Sequence, residues 1–476
     1  MNQFGNKAFL LLFLTPLAYA TNINQADLPY TITEPGQYYV QENLVYTGSD
    51  NAITIKANNV LLNFNGFSLH LSHHEATGVL VKKSSEFTII GDVISNTSSK
   101  TQKGNGIYIL KSKNGSIENV FTRHNQHGLK IKKSKYILVE DGDFAHAQHS
   151  DALVQESVTI GFDNCTFTDG HHGLTLIGAN RDCSVTNSAF PSAKFANLNV
   201  LQVDGMMVDK CSFTNTGGGD DTKPNLVQFG GAEPEQACFN VTFRNCTISN
   251  PCDCNSTSPE GLGLYQGSGF LVDSCVIEIN NTNQDPAADL SGIHISNPGL
   301  GINGTIASNV IIRNCLIQGP ATDGLYPDVG SSNILIENCL VTGASKDGIF
   351  LAGTSACTVT NNTVVGNATN GIFLGETSFS NAVTNNIVNS NGFNPIISSL
   401  PPFGNGISIA SDSSNNSIQN NTVFSNTTDG INDQGTNNQI FYNTAYANVT
   451  NYVAATDTII ESAPGVATLV GANISA

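Results

Sequence analysis

One stretch of the sequence decides the fold, and it reads Ile334-Leu335-Ile336-Glu337-Asn338-Cys339-Leu340-Val341. In its first half, as in the other copies, apolar residues stand at every second position, here Ile334 and Ile336, which is the period of a β-strand and not of a helix. A polar pair follows, and a second short apolar run then begins. The same order returns in Val359-Thr360-Asn361-Asn362-Thr363-Val364. The stretch is therefore one unit of an internal repeat.

Copies of this unit recur along most of the chain at a nearly constant spacing. Aligned on the residue after the Asn, they fall at positions 119, 142, 165, 188 and 211, each 23 apart. Later copies fall at 246, 275, 315, 339, 362, 386, 421 and 443, and the longer steps accommodate inserted loops. A second phrase, as in Asn105-Gly106-Ile107-Tyr108-Ile109, lies between copies. Short strands repeated at a fixed interval predict a solenoid, in which each coil pairs with its neighbours.

The repeat resembles that of the right-handed parallel β-helix proteins of the pectin-lyase-like superfamily, over roughly residues 51–448. The resemblance implies an all-β fold, a single solenoid of about fifteen coils with a cap at each end. It implies no particular activity, because the superfamily includes lyases, hydrolases, epimerases and adhesins. We expect a signal peptide over 1–20, an N-terminal cap over 21–50, the β-helix domain over 51–448, and a C-terminal cap or tail over 449–476.

Composition and the first residues narrow the class of function. The formal charge is −18, and a nucleic-acid-binding protein needs a basic face. Lys7, the apolar run after it and Ala18-Tyr19-Ala20 are typical of a secretory signal, whereas no later run approaches the ~20 apolar residues of a membrane span. We therefore expect a secreted, periplasmic or cell-surface protein without a nucleic-acid partner or a membrane span. The sequence leaves the oligomeric state open.

One position of the repeat predicts stacks of like side chains. Neighbouring coils are about 4.8 Å apart, whereas the Cβ atoms of a disulfide are ~3.8 Å apart, so cysteines stacked there are expected to be buried free thiols. The position holds Cys165, Cys211, Cys246, Cys275, Cys315 and Cys339, and then Asn362, Asn386 and Asn421. Five further cysteines lie outside this stack with their pairing open: Cys183, Cys238, Cys252, Cys254 and Cys357. The spacing of Cys252 and Cys254 is weak evidence for a metal site, and none is predicted.

The residue before this position is usually Asn. Asn tolerates a left-handed backbone, so we expect a turn there in each coil. These residues resemble the asparagine ladders of the superfamily. They are Asn164, Asn245, Asn314, Asn338, Asn361, Asn385 and Asn420.

A basic region stands out in this acidic chain. Eleven of the twenty Lys and Arg residues lie between Lys82 and Lys135, with three acidic residues among them. Counting along the repeat stacks them on adjacent coils, where like charges repel. One interpretation is a face for a polyanion, such as an acidic polysaccharide or another anionic surface; the other is a solvated edge that prevents aggregation. The substrate-binding candidates are Lys82, Lys83, Lys111, Lys113, Arg123, Lys130, Lys132 and Lys133.

Histidine and aspartate residues cluster on the coils that follow. The spacing stacks His149 on His171 and His146 on Asp169. Lyases and epimerases of acidic polysaccharides remove a proton next to a carboxylate, which needs a base and a neutralising cation. The catalytic candidates are therefore His146, His149, Asp151, Asp169 and His171. His127 and His172 precede the repeat glycine, and we interpret them as turn residues at positive φ.

Two functional hypotheses remain. The first is a secreted protein that binds an acidic polysaccharide, and as an enzyme cleaves or epimerises it, along residues 82–181; it predicts that His149, His171 and Asp169 converge beside the lysines. The second is a non-catalytic surface or adhesive solenoid that displays the inserted loops Gly217–Pro224, Asn281–Leu290 and Phe393–Gly404. The cofactor stays unknown in both, with calcium as a candidate.

Overall fold

Each turn of the chain contributes one short strand to each of three parallel sheets, here called the first, second and third sheets. Strands pair in parallel with their counterparts on the preceding and following coils. The computed structural model describes residues 20–91, 93–97, 101–214, 226–231, 233–250, 260–279, 291–296, 307–319, 322–392, 404–454 and 459–461. These form a right-handed β-solenoid of about 15 turns, which confirms the predicted all-β fold.

The strands have the following bounds. Two long strands, Thr166–Thr186 and Ala189–Asp209, pass through the corners and contribute to all three sheets. The first sheet also contains Tyr30–Ile32, Asn51–Ile55, Thr77–Lys82, Asn105–Leu110, His127–Lys132, Ser150–Gln155, Val227–Phe229, Leu262–Leu264, Ile293–Ile295, Leu325–Pro327, Ile349–Ala352, Ile372–Gly375, Ile407–Ile409, Asp429–Asp433 and Thr450–Ala454. The second contains Ala20–Ile23, Gly36–Val40, Val60–Asn63, Ser85–Ile90, Lys113–Glu118, Lys135–Glu140, Val158–Asp163, Cys238–Arg244, Gly267–Asp273, Ser308–Arg313, Ser332–Glu337, Thr358–Thr360, Ala382–Thr384, Ser417–Gln419, Gln439–Phe441 and Ile459–Glu461. The third contains Leu44–Tyr46, Leu69–Leu71, Val93–Asn96, Phe121–Arg123, Asp143–Ala145, Ser212–Thr214, Thr247–Asn250, Val276–Ile279, Leu316–Gln318, Leu340–Thr342, Thr363–Val365, Ile387–Asn389, Thr422–Phe424 and Thr444–Tyr446. Two 3-10 helices, Gln25–Asp27 and Pro234–Gln236, complete the described elements.

The coil pattern extends beyond the range expected for the β-helix domain. Its strands begin with Ala20–Ile23 and Tyr30–Ile32, across the expected N-terminal cap, and Thr450–Ala454 continues the pattern into the expected C-terminal segment. The expected signal peptide lies outside the described residues except for Ala20. The loops Gly217–Pro224 and Asn281–Leu290 also lie outside them, as does Phe393–Gly404 except for its last residue.

The predicted thiol stack is confirmed. All six of its cysteines are buried and free, as are Cys183, Cys238 and Cys357, while Cys252 and Cys254 lie outside the described residues. Each stacked thiol donates to a backbone carbonyl, as Cys275 Sγ does to the oxygen of Asp273 at 3.3 Å. The copy of this position on the coil that contains Asn119 is Val120 and not residue 119. The amide of Asn119 donates to the carbonyl of Glu140, so Asn119 lies opposite Asp141, one residue before the stacked position of the next coil. We call this stack the thiol ladder.

The thiol ladder continues as an amide ladder after Cys339. The Nδ2 atom of Asn362 donates to Oδ1 of Asn386 at 3.0 Å, and Asn386 donates to Asn421 in the same way at 2.9 Å. The preceding residues do adopt the predicted left-handed turn, with φ of 57° at Asn361. The asparagine ladder was therefore predicted at the turn residues, one position before the residues that form it. The turn residue points its side chain outward, whereas the next residue is buried and bonds to the adjacent coils.

The repeat glycine is required by close approach and not by an unusual φ. A Cβ atom built on Gly106 would lie 2.5 Å from the carbonyl oxygen of Gly128 on the next coil. Contacts under 3.0 Å are essentially never found for real Cβ atoms. The glycine thus lets the chain turn tightly from the third sheet into the first, and it fixes where each first-sheet strand begins.

Candidate functional site

Five lysines form a compact basic group where the first sheet meets the second. Lys83, Lys111 and Lys133 occupy the corner on three successive coils, and the amide of Lys111 donates to the carbonyl of Lys132 at 3.0 Å. Lys82 and Lys132 end first-sheet strands on either side of Leu110. We call these five residues the lysine corner. The row ends at Glu156, whose carboxylate is 3.3 Å from Lys133 Nζ and 3.9 Å from Lys132 Nζ.

The corner lysines carry a conformational cost. Lys83, Lys111 and Lys133 have φ of 57°, 51° and 53°, in the left-handed region that favours glycine and asparagine. Gly178 occupies the corresponding corner two coils after Lys133 and adopts this region without strain. Three lysines in this conformation on neighbouring coils, whose strands are about 4.8 Å apart, are disfavoured by both backbone preference and charge repulsion. The same left-handed conformation recurs at turns throughout the described coils, including Glu156 in this row, so what distinguishes the three lysines is their like charge.

The other predicted cations lie away from this corner. Lys113 is opposite Lys135 at the start of the second sheet. Lys130 faces outward in the middle of the first sheet, with Nζ 5.4 Å from the ring centre of Tyr108, and burial followed by Lys132 lowers its pKa. Arg123 ends a third-sheet strand and forms a 3.0 Å ion pair with Asp143. The eight predicted cations therefore do not form one row.

Histidines occupy the corner between the third and first sheets. His124, His146 and Asp169 follow one another on successive coils, all at positive φ. The rings of His124 and His146 stack with centres 5.0 Å apart, and His146 Nδ1 is 3.6 Å from Asp169 Oδ2. Burial, followed by His146 and Arg123, lowers the pKa of His124. The predicted stacking of His146 on Asp169 is therefore present.

His149 and His171 form a second pair on the same corner. The amide of His172 donates to the carbonyl of His149 at 2.7 Å, which places His171 opposite His149 as the spacing predicted. The His171 ring is 5.5 Å from Phe195. Burial lowers the pKa of His171, with smaller contributions from His149 and Lys194. We call His124, His146, His149, Asp169 and His171 the histidine corner.

Asp151 faces the core and not the other catalytic candidates. It replaces the repeat glycine of its coil and is fully buried. Its two carboxylate oxygens accept the amides of Ala147 and Gly170 at 3.1 and 3.2 Å. Burial raises its pKa well above the usual value. In this arrangement Asp151 bonds to backbone groups that asparagine side chains satisfy on other coils.

The interpretation of His127 and His172 as turn residues is wrong. His127 begins a first-sheet strand opposite Asn105, His172 lies within the long strand Thr166–Thr186 opposite Ser150, and neither has positive φ. The turn comes three residues before His127, at His124. Burial lowers the pKa of His127 to about 3 and that of His172 to about 4. Both are therefore neutral side chains packed at the edge of the core.

The lysine and histidine corners are at opposite ends of the same strands. His127 begins the strand that Lys132 ends, and five residues of extended chain span about 17 Å. The expected convergence of His149, His171 and Asp169 beside the lysines is not found. The two corners have different chemistry and do not meet in one cleft.

A second cluster, which the sequence did not predict, lies on the outer face of the first sheet. The Glu260 carboxylate accepts a bond from Tyr265 Oη through Oε2, and Oε1 is 2.6 Å from His294 Nδ1. His294 Nε2 is 4.0 Å from Asp328 Oδ2 on its other side. Side-chain exposure is 10% for Glu260 and 12% for His294, so these charged groups are held away from bulk water. We call these four residues the Glu260 cluster.

Glycine and aromatic residues build this cluster. A Cβ atom on Gly263 would lie 2.8 Å from the Tyr265 ring, so this glycine lets the tyrosine fold back over the strand toward Glu260. The His294 ring stacks on Tyr326 at 4.9 Å, and Tyr326 stacks on Phe350 at 5.2 Å. Because these ring faces cover one another, only their edges face outward, and the stack offers no free face between coils for a sugar ring.

Counting along the repeat could not reveal the Glu260 cluster. Glu260 and His294 are 34 residues apart and Glu260 and Asp328 are 68 apart, because insertions interrupt the constant spacing there. The signal that remains is local. Ile293 and Ile295 alternate with His294, which places a titratable side chain on the outer face of a strand.

The described residues place limits on two other classes of site. Among them, no three His, Cys, Asp or Glu side chains are grouped to hold a metal ion. Likewise, none of the helices in the described ranges has the length and apolar character needed to cross a membrane. The carboxylates of Asp151 and Asp169 have different partners. That of Asp151 accepts a hydrogen bond from the amide of Gly170, and that of Asp169 accepts one from Ser192 Oγ.

The fold defines this chain as a right-handed parallel β-helix protein, and comparison with known proteins agrees. Residues 236–399 match the family model described as right handed beta helix region. The match covers about a third of the chain and agrees with the predicted right-handed parallel β-helix fold. No curated protein matches the chain.

Solved structures with a similar fold include three of different kinds. One is the Azotobacter vinelandii mannuronan C-5 epimerase AlgE6 A-module, at 14% identity and TM-score 0.34, with 90% of this chain and 91% of that chain covered. Another is PfbA, a surface adhesin of Streptococcus pneumoniae, at 12% identity and TM-score 0.46, covering 72% and 85%. A third is the Dettilon tailspike protein, at 12% identity and TM-score 0.37, covering 80% and 59%. At these identities the likeness concerns the fold alone.

Proposed function

We propose that this protein is exported and binds an acidic polysaccharide at the lysine corner, in the periplasm or at the cell surface. The observation that supports the proposal is the row of like charges formed by Lys83, Lys111 and Lys133 at one corner of three successive coils, flanked by Lys82 and Lys132. A polyanion offers one negative charge per repeating unit, and a row of cations at coil spacing matches such a ligand better than a single small anion.

Removal of the corner charges tests this binding. The variant Lys83→Asn/Lys111→Asn/Lys133→Asn loses three charges, and Asn keeps the left-handed backbone accessible. We expect at least a tenfold weaker affinity for polyuronate chains by calorimetry at low salt, with a weaker dependence on salt. The matched control Lys103→Asn/Lys194→Asn/Lys210→Asn removes three exposed lysines outside the lysine corner. Equal losses in the two variants would contradict a site at the lysine corner.

The Glu260 cluster favours a second function, cleavage or epimerisation of the bound chain. Glu260 holds His294 and Tyr265 on the outer face of the same sheet as the lysine corner. A carboxylate that orients an imidazole and a phenol is an arrangement suited to general acid–base catalysis. The histidine corner is the competing location, since it contains His146, His149, Asp169 and His171.

Two single variants distinguish the two candidate catalytic sites from each other, and the wild-type protein tests whether there is any catalysis at all. Polyuronates are incubated with the protein in D2O, with and without calcium, and new unsaturated ends and deuterium at ring carbons are followed by absorbance and NMR. If the Glu260 cluster is catalytic, His294→Gln abolishes turnover while binding persists and His171→Gln retains it. The reverse result assigns catalysis to the histidine corner. Absence of turnover in the wild-type protein supports the adhesive solenoid.

A further inference from the structure

The outer face of the second sheet carries an exposed apolar strip along its centre. Register places Leu138, Met207, Leu271, Ile311 and Leu335 in one outward row. Leu138 is 41% exposed and Ile311 is 37% exposed. Three small or polar residues interrupt the row, but Leu271, Ile311 and Leu335 follow one another on three successive coils. Apolar side chains grouped in this way on a sheet face are a feature of protein interfaces.

Opposite charges border this strip on the N-terminal coils. Lys113, Lys135 and Arg181 lie where the strands begin. Glu118, Glu140 and Asp163 are in direct register where the same strands end. None of these six groups takes part in an ion pair among the described residues.

The acidic row is internally repulsive. Burial raises the pKa of Glu140, and Glu118, Asp163 and Asp141 raise it further. Stacked like charges on adjacent strands destabilise a sheet unless an opposite charge compensates them. The compensating cations on this face are about 17 Å away along the strand, too far to neutralise the acidic row within one molecule.

Symmetry determines how a second copy can satisfy these rows. A twofold axis parallel to the solenoid axis reverses the strand direction and keeps coils at the same height. It places the apolar strips of the two chains against each other, with Lys113 opposite the partner's Glu118 and Lys135 opposite the partner's Glu140. A twofold axis along the strands would instead place lysine on lysine. Only the first arrangement joins unlike charges.

We infer that the second sheet is the interface of a homodimer, in which two chains pack face to face with their solenoid axes parallel. The nine coils from Glu118 to Glu337 give a face of roughly 17 by 43 Å, or about 700 Å² per chain. That approaches the ~800 Å² per partner of a stable interface. The lysine corner stays outside the centre of this face, so the inference is independent of glycan binding.

Charge reversal tests both the surface and the symmetry. Light scattering of the purified protein at 50 mM salt is expected to give a dimer. Lys113→Glu/Lys135→Glu and Glu118→Lys/Glu140→Lys should each weaken self-association at least about tenfold, because every facing pair becomes like-charged. Mixing the two variants restores all pairs, and native mass spectrometry should detect the mixed dimer in preference to either homodimer.

A substitution in the apolar strip provides an independent test with a matched control. Ile311→Lys puts two like charges near the axis and should yield monomer, whereas Ile387→Lys, at an equally exposed position on the third sheet, should leave the dimer intact. Circular dichroism verifies that each variant is folded. A monomeric wild-type protein, another stoichiometry, or a dimer that neither reversal weakens would overturn the inference.

Discussion

The Nδ1 atom of His294 lies 2.6 Å from Oε1 of Glu260, although 34 residues separate them in the chain. The insertion between them does not disturb the pairing of Leu262–Leu264 with Ile293–Ile295, and the two side chains meet across that pair of strands. A carboxylate and an imidazole at this separation and degree of burial are energetically coupled.

We expect Glu260 and His294 to couple by about 1.5–3 kcal/mol, the usual contribution of a hydrogen bond to a charged group. A double-mutant cycle with Glu260→Gln and His294→Gln, measured by urea unfolding at pH 7, gives this energy directly. His70 and Ser95 form a neutral bond at 2.8 Å and serve as the control pair, with about 1 kcal/mol expected. Coupling no larger than in the control would show that the pair is not charge-assisted.

Asn386 connects three coils and should be among the most sensitive positions of the core. Its amide donates to the carbonyl of Val359 and to Asn421, while its oxygen accepts from Asn362. Asn386→Leu leaves these buried groups without partners, so we expect a loss of about 3 kcal/mol or more in the free energy of unfolding.

The adjacent Asn385 provides the control for that experiment. It has φ of 58° and turns its side chain outward, so Asn385→Ala should cost only about 1–2 kcal/mol of backbone strain. Denaturant unfolding of the two variants measures the difference. Equal losses at positions 385 and 386 would refute the distinction between turn residue and buried ladder.

Buried histidines should make the protein less stable in mild acid. The pKa values of His127 and His172, about 3 and about 4, are below the unfolded value of about 6.5, so the folded state binds fewer protons. The unfolding free energy should therefore fall as pH decreases below about 6.5, by up to about 1.4 kcal/mol per pH unit for each histidine.

Urea midpoints at pH 7, 5.5 and 4.5 measure this dependence. The variant His127→Asn/His172→Asn uses the residue found at Asn105, the corresponding position of the preceding coil, and should flatten the slope. Asp151, whose pKa burial raises, acts in the opposite direction: it binds a proton in the folded state above the unfolded pKa of about 3.9 and so offsets part of the histidine slope within this window. Its contribution is the same in the wild-type protein and in the variant, so the difference between their slopes reports the histidines. An unchanged slope in the variant would contradict the assignment.

The cysteines of the core should resist alkylation in the native protein. Burial raises the pKa of Cys165 and Cys183 to about 12, so almost no reactive thiolate exists at pH 8. Peptide mass spectrometry after iodoacetamide treatment should find all nine described cysteines unmodified until urea is added. Modification of Cys275 or its neighbours in the ladder before unfolding would argue against a closed core.

Sequence reasoning succeeded where the spacing is constant. It identified the thiol ladder, the left-handed turns at residues such as Asn338, and the stacking of His146 on Asp169, because each depends only on counting residues per coil. It failed for His127, since the residue before the repeat glycine begins a strand and the turn lies three residues earlier.

The candidate sites were harder to predict for a physical reason. Counting assigns a residue to a coil but does not show which corner its side chain occupies, so His149, His171 and Asp169 were expected beside the lysines although the length of a first-sheet strand separates the two corners. Asp151 was assigned to a catalytic cluster because sequence cannot show that its side chain points inward. The Glu260 cluster could not be predicted by counting, because insertions interrupt the constant spacing between its members.

The change from sulfur to amide at Cys339 and Asn362 has a consequence for how such a rod changes in length. From Asn362 onward each rung bonds to the next through the same contacts between asparagine side chains. Adding or deleting one segment of about 24 residues therefore leaves the remaining ladder contacts of the same kind. We therefore expect insertion or removal of a whole rung to cost less stability at this end than at the sulfur-lined end, where the fillers vary from rung to rung.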